Sequence, residues 1–414
     1  MITLKRLRGY TTVMAICLWT IWSVDFAIEG PIDRLGKVKG TDFLQFYVIG
    51  SVAHEHRWND LYDIRVQSAS TQALAPTSHE TLLLPIQSPQ LALLFAPLVV
   101  HGYAVALGIW LAAIVLLYGA CCFVMWRECK ALRGHGYVAA SSCMAFPGLF
   151  SVVLHGQMSS VSLACVVAAL LALRRERKFA AGLALGLLVF KPHWAVTAGA
   201  VFLVAREWRV IAGISVAAIG QVALTYAIVG TSVMNAYWRV LRSIPRIAEL
   251  LEPRPADSLK GFFQALVPSE PVALALYGVA ALATLVMTAR IWRSRASFEV
   301  RASAAMLALV LTNPHVLPYD LLVLAPVYFL LANWLAESAC DRRTKALPAL
   351  LCLSFLAPLL AVLPSVVRLM FSVGVPAAIL LILWRVADVR DLPAEASAET
   401  PADNPYVVSA FRRT

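Results

Sequence analysis

Residues 103–126 contain not one charged side chain. A helix of that length, rising about 1.5 Å per residue, is long enough to cross an apolar layer about 30 Å thick. A run that is apolar on every face has no solvent side, so it commits the chain to a membrane. Shorter apolar runs recur along almost the whole sequence between short polar breaks. The composition agrees: 60% of the 414 residues are hydrophobic, 14% are charged, and the mean hydropathy is +0.73. A soluble protein of this size needs more charge to cover its surface.

The net charge of +11 is distributed in a way that excludes a nucleic-acid partner. Lys and Arg sit in short connections between apolar runs, as in Arg174-Arg175-Glu176-Arg177-Lys178. That pattern fits cytoplasmic loops under the positive-inside rule, not a continuous phosphate-binding face. The eight cysteines (Cys17, Cys121, Cys122, Cys129, Cys143, Cys165, Cys340 and Cys352) fall in apolar runs or predicted cytoplasmic loops. They read as small core hydrophobes, with neither a disulfide framework nor a thiolate metal site expected.

Loop charges set the orientation. Lys5, Arg6 and Arg8 precede an apolar run over residues 10–28 with no small-residue cleavage site after it, which predicts a retained first helix with its N-terminus inside. Residues 29–90 form the longest polar insertion and belong outside. Within it Phe43, Phe46 and Tyr47 mark a short interfacial helix. Runs over 138–153 and 158–173 predict a hairpin with the outer tip Leu154-His155-Gly156-Gln157. Residues 179–190 and 195–205 are each too short for a span and flank Lys191-Pro192-His193-Trp194, the pattern of broken or re-entrant helices lining a cavity. A second outer loop, residues 230–271, carries Arg239, Arg242, Arg246, Arg254 and Lys260 against the positive-inside trend. The sequence therefore predicts an all-α polytopic membrane protein with about twelve transmembrane or partly re-entrant helices and both termini inside. One membrane domain covers residues 1–387, and 388–414 form a disordered cytoplasmic tail. No internal repeat is visible.

Among the polar residues, Asp42 in Lys39-Gly40-Thr41-Asp42-Phe43-Leu44-Gln45-Phe46-Tyr47 stands out. A carboxylate among aromatics at a membrane surface must offset its desolvation, and general-base chemistry is one reason to keep it. Spacing alone leaves that role and capping of the following helix equally open. Lys191 either meets a ligand phosphate or snorkels to the interface. His315, between Pro314 and Pro318, either contacts a substrate phosphate or acceptor or serves as a structural hydrogen-bond partner. His155 and Gln157 occupy the other outer tip. Arg254 before Pro255 and Lys260 near Ser258 are the phosphate candidates of the second loop, while headgroup attraction suffices for Arg239, Arg242 and Arg246. Asp320 reads as a helix cap or a partner for a cation. His54 and His56, two apart, face away from each other on a helix. No Asp-x-Asp lies in an outer loop, so neither a divalent metal nor any other cofactor is expected.

Several of these residues form an ordered series: Asp42-x4-Tyr47, Leu61-Tyr62-Asp63, Gly156-Gln157-Met158-Ser159, Ala181-Gly182 ahead of Lys191-Pro192, Ser258-x-Lys260-Gly261 and Asn313-Pro314-His315. The series resembles glycosyltransferase family 87 over residues 42–320. That family comprises membrane-embedded enzymes of the GT-C class that use polyprenyl-phosphate sugars. One departure is plain: the family's Tyr-Pro-Pro segment is replaced here by Gln87-Ser88-Pro89-Gln90.

The resemblance implies a long first extracytoplasmic loop carrying interfacial helices, with Asp42 as the base that removes the acceptor hydroxyl proton. A sugar phosphate already has a good leaving group, so one carboxylate suffices and inversion is expected. Substrate contacts are then expected at Lys191, His315, Arg254, Lys260, His155, Gln157 and Tyr47. The expected partners are a polyprenyl-phosphate donor of mannose or arabinofuranose type, a lipid-linked or cell-envelope glycan acceptor, and membrane lipids, on the outer side of a bacterial inner membrane. The competing class is a transporter or flippase for an anionic or lipid-linked substrate. It is disfavoured by the absence of repeated halves and by the long aromatic loop with its isolated carboxylate.

Overall fold

The structure is a computed structural model that describes residues 3–34, 36–76, 84–250, 255–338 and 342–390. Arg254, Cys340 and tail residues 391–414 lie outside the described residues. Helix α1 (Leu4–Phe26) leads to α2 (Thr41–His54), α3 (Ile64–Leu74), α4 (Pro89–Phe95) and the long α5 (Tyr103–Glu128). Next come α6 (Gly136–Ala145), α7 (Pro147–His155), α8 (Ser159–Arg174), α9 (Lys178–Gly186) and α10 (Pro192–Val204). Helix α11 (Trp208–Leu250) is broken at Gly230, whose φ is 81°. The chain closes with α12 (Leu259–Leu266), α13 (Glu270–Arg293), α14 (Phe298–Leu311), α15 (Ala325–Glu337), α16 (Leu347–Leu356), α17 (Ser365–Leu369) and α18 (Val375–Arg390). Among the described residues the one extended pairing is an isolated bridge between Ile32 and Val38.

The all-α class holds, but the expected count of about twelve crossings does not. Among the described residues five helices are long and apolar enough to cross a membrane: Tyr103–Glu128, Trp208–Ser243, Glu270–Arg293, Pro318–Glu337 and Ser365–Asp388. A sixth is added if Lys130–Ala145 and Pro147–His155, bent by 43°, count as one span. The reason is length. Ser159–Arg174, Lys178–Phe190 and Pro192–Val204 are apolar helices of 10–17 residues, and at about 1.5 Å per residue such helices fall short of a 30 Å layer. Ser159–Arg174 packs mostly inside the protein, whereas Phe179, Leu187, Val196 and Leu203 on the other two remain exposed. The first helix is long enough, but Thr11, Thr12, Thr20, Ser23 and Asp25 dilute its hydropathy below that of the five.

The expected interfacial helix is also corrected. Helix α2 has ten buried residues, from Phe43 through Ala53, and is a core element. Phe46 stacks on Phe95 with centroids 4.9 Å apart, and a Cβ on Gly50 would lie 2.9 Å from the Phe95 backbone. Its apolar residues were laid against α4, not against lipid.

Close backbone approach also places Lys191. A Cβ on Gly182 would sit 2.1 Å from the Val210 carbonyl oxygen, and one on Gly213 would sit 2.2 Å from that of Phe179. Glycine thus lets α9 lie directly on α11. Past α9 the chain tightens into a 3-10 turn, Leu187–Phe190, and delivers Lys191 to the start of α10. Ser88 pins this turn by donating to the Phe190 carbonyl at 3.2 Å.

Candidate active site

Two left-handed glycines build the acidic corner. Gly40 (φ 65°) caps α2, and a Cβ there would lie 2.7 Å from Leu107 Cδ1. Gly156 (φ 68°) ends α7, and a Cβ there would lie 2.6 Å from the Cβ of Phe43. Only glycine combines that conformation with that proximity. Trp110 fastens the second turn by donating from Nε1 to the Gly156 carbonyl at 2.7 Å. The first turn of α2 is thereby pressed against the Gly156-Gln157-Met158-Ser159 corner.

Asp42 accepts from Gln157 Nε2 at 2.9 Å on Oδ2. Gln157 is itself held, because its Oε1 accepts the Met158 N–H at 2.9 Å. No side chain caps α2, and Thr41 donates to the Val38 carbonyl at 3.0 Å. The Asp42 carboxylate thus faces Gln157, not its own helix end. Tyr319 neighbours both Asp42 and Gln157.

Across Tyr319 lies a cationic group. Lys191 Nζ stands 5.5 Å from the Tyr319 ring centroid and donates to Asp320 Oδ1 at 2.9 Å. Ser159 Oγ donates to the same oxygen at 3.0 Å, while Asp320 Oδ2 accepts the Leu317 N–H at 3.2 Å. Asp320 therefore caps its helix and pairs a cation at once. The His193 and His315 rings meet edge to face at 5.8 Å. His315 is oriented by a turn in which its N–H donates to Asn313 Oδ1 at 3.0 Å. Its ring is accessible, though protein surrounds it on most sides. Partial loss of water pushes its pKa down; Asp320 opposes that fall, and Lys191 and Lys260 add to it.

Asp42, Gln157, Lys191 and His315 thus share one site, from four distant stretches of chain. His155 joins its edge: the ring lies 5.6 Å from that of Tyr319, and Nδ1 pairs with the Ser151 carbonyl at 2.8 Å. Lys260, early in α12, acts on His315 by charge and has no ion-pair partner among the described residues. Tyr47 lies on the same helix as Asp42. Its hydroxyl donates to the Val99 carbonyl at 3.2 Å and its ring meets that of Tyr103 at 5.4 Å. Arg254 falls outside the described residues.

Tyr319, Ser159 and His193 were not singled out from sequence. Ser159 and His193 lie inside the motifs named above, whereas nothing near Tyr319 in the sequence announces its place beside Asp42. The departure at Gln87-Ser88-Pro89-Gln90 also has a structure. Gln87 Nε2 donates to Gln45 Oε1 at 2.7 Å, and its carbonyl accepts from the Tyr62 hydroxyl at 3.0 Å. Pro89 starts α4.

A second ion pair supports the site from behind. Asp257 Oδ1 lies 3.1 Å from Arg368 Nε and accepts from Ser372 Oγ at 2.7 Å, and the Asp257 N–H donates to the Val316 carbonyl at 2.7 Å. This joins α17 and the loop before α12 to the segment carrying His315. Burial pushes the Asp257 carboxyl pKa up, against the pull of Arg368 and Ser372.

Fold and site together describe an all-α protein with membrane-length helices and a carboxylate set opposite a lysine and two histidines. The chain belongs to glycosyltransferase family 87, whose profile matches residues 87–318. This is a GT-C-type, polyprenyl-phosphate-dependent family, which gives the chain a general role in glycosyl transfer. Asp42 lies before the matched stretch and Tyr319 and Asp320 just after it. Neither a curated protein nor a solved structure matches the chain.

Proposed function

We propose that the chain moves a mannose- or arabinofuranose-type sugar from a polyprenyl-phosphate donor to a hydroxyl of a lipid-linked or cell-envelope glycan. The reaction is placed on the extracytoplasmic side of a bacterial inner membrane. Asp42 takes the proton from the acceptor hydroxyl as its oxygen attacks the anomeric carbon, and the bond from that carbon to the phosphate oxygen breaks. Configuration inverts because the attack comes from the face opposite the leaving phosphate. Lys191 and His315 meet the phosphate, whose charge grows as it departs.

The observation that supports this reading is the placement of Tyr319. Tyr319 neighbours Asp42, and Lys191 Nζ lies 5.5 Å from its ring centroid, so base and cation flank one tyrosine while Lys191 pairs with Asp320 and not with Asp42. The test is Asp42→Asn, assayed with a panel of radiolabelled polyprenyl-phosphate sugars. Loss of a lone general base costs about 10²- to 10⁴-fold in turnover, with donor binding retained. Wild-type transfer by that variant would end the base assignment.

A further inference from the structure

Asp320 is the second acid of this site, and the transfer step gives it nothing to do. Its side chain is 3% exposed. Both oxygens are engaged, Oδ1 by Lys191 and Ser159 and Oδ2 by the Leu317 N–H. A carboxylate held by three donors from three stretches of chain is a fixed charge that does not swing aside when an anion arrives. Lys191 is different. It gives one of its three N–H donors to Asp320, and no other hydrogen-bond acceptor for it is found among the described residues. The ammonium can therefore bridge Asp320 and an incoming phosphate. The other charged or titratable groups around the pair are His193, His315, Lys260, Asp257 and, beyond Tyr319, Asp42.

The two phosphates that must use such a site differ in charge. The donor is a phosphodiester with one negative charge, and the released lipid is a phosphomonoester that carries nearly two at neutral pH. A lysine alone binds the dianion more tightly, which would trap the product. A fixed anion directly behind the lysine cancels that preference. Within a few ångströms, in a medium less polarisable than water, one unit charge shifts relative affinity by about tenfold or more. Resting on the reading of Lys191 as the donor-phosphate partner, we infer that Asp320 is a specificity-determining residue, which sets the site to accept a phosphodiester and release a phosphomonoester.

The experiment uses the full chain in detergent and two probes, farnesyl phosphate and its methyl ester, with affinities measured at about pH 8, where the monoester is doubly charged. The wild type is expected to bind the monoester no more tightly than the diester. In Asp320→Asn the monoester gains about tenfold or more over the diester. An unmoved ratio in that variant overturns the inference. So does a strong monoester preference in the wild type, a result that stands even if the variant fails to fold. Lys191→Met separates the two readings. If it weakens neither ligand, the phosphate role of Lys191 fails; if it weakens both while the Asp320→Asn ratio stays put, only the Asp320 inference fails.

Discussion

Gln157 donates to Asp42 Oδ2 at 2.9 Å while its own Oε1 accepts the Met158 N–H, also at 2.9 Å. The amide cannot turn over without losing the backbone bond and setting oxygen against carboxylate. The orientation of Asp42 is thus traceable to one peptide group at the start of α8.

Replacing Gln157 with Ala removes that restraint but leaves Lys191 and His315 untouched. A hydrogen bond to a charged group is worth about 1.5–3 kcal/mol, so turnover is expected to fall about 10- to 100-fold with donor KM nearly constant. Steady-state transfer kinetics check this. A loss confined to KM would assign Gln157 to substrate binding and not to Asp42.

Gly156→Ala tests the corner itself. The added methyl would need to occupy space 2.6 Å from Phe43 Cβ at a φ of 68°. Strain of this kind costs about 1–3 kcal/mol, and relief requires α2 to move away from Gln157. Thermal unfolding should shift downward, and transfer should fall further than the stability loss alone explains.

Breaking the Asp257–Arg368 pair tests the support behind His315. Side-chain exposures of 1% for Asp257 and 9% for Arg368 make this a buried pair. Arg368→Met leaves the carboxylate without its cation and should destabilise by about 3–5 kcal/mol. The double variant Arg368→Met with Asp257→Asn should recover much of that loss, because no unpaired charge remains. Denaturant unfolding of the wild type, the two single variants and the double variant measures the coupling, and strict additivity would exclude a paired role.

The depressed pKa of His315 makes a pH prediction. The fold disfavours the protonated ring, so as pH falls the unfolded chain takes up its proton first. The stability tied to this residue is complete above the ordinary His value of about 6.5 and is lost below it, toward the folded value. His315→Asn removes that dependence. Between about pH 7.5 and 5.5, the wild type should lose more unfolding temperature than the variant. Equal losses would show that His315 carries none of the effect.

Much of this was written locally. The charge-free run at 103–126 became α5. The ordered motifs led to the family. Crossing number was not legible, because an apolar run looks the same whether its neighbour is lipid or protein. Helices α8 and α10 resolve that ambiguity only by packing, and α2 shows it most sharply: Phe43 and Phe46 lie on Phe95, not on a membrane surface.

The site divides along the same line. Asp42, Lys191 and His315 could be nominated from residue type and surroundings, because a charge or imidazole in an apolar chain needs a partner. What those partners are depends on contacts between residues more than one hundred positions apart, as with Gln157 and Asp42 or Lys191 and Asp320. The sequence by itself determined an all-α membrane chain with a few polar groups that needed partners. The tertiary structure decided how many helices are long enough to cross, and which acid faces the glutamine and which the lysine, because only packing brings distant chain segments within a hydrogen bond's reach.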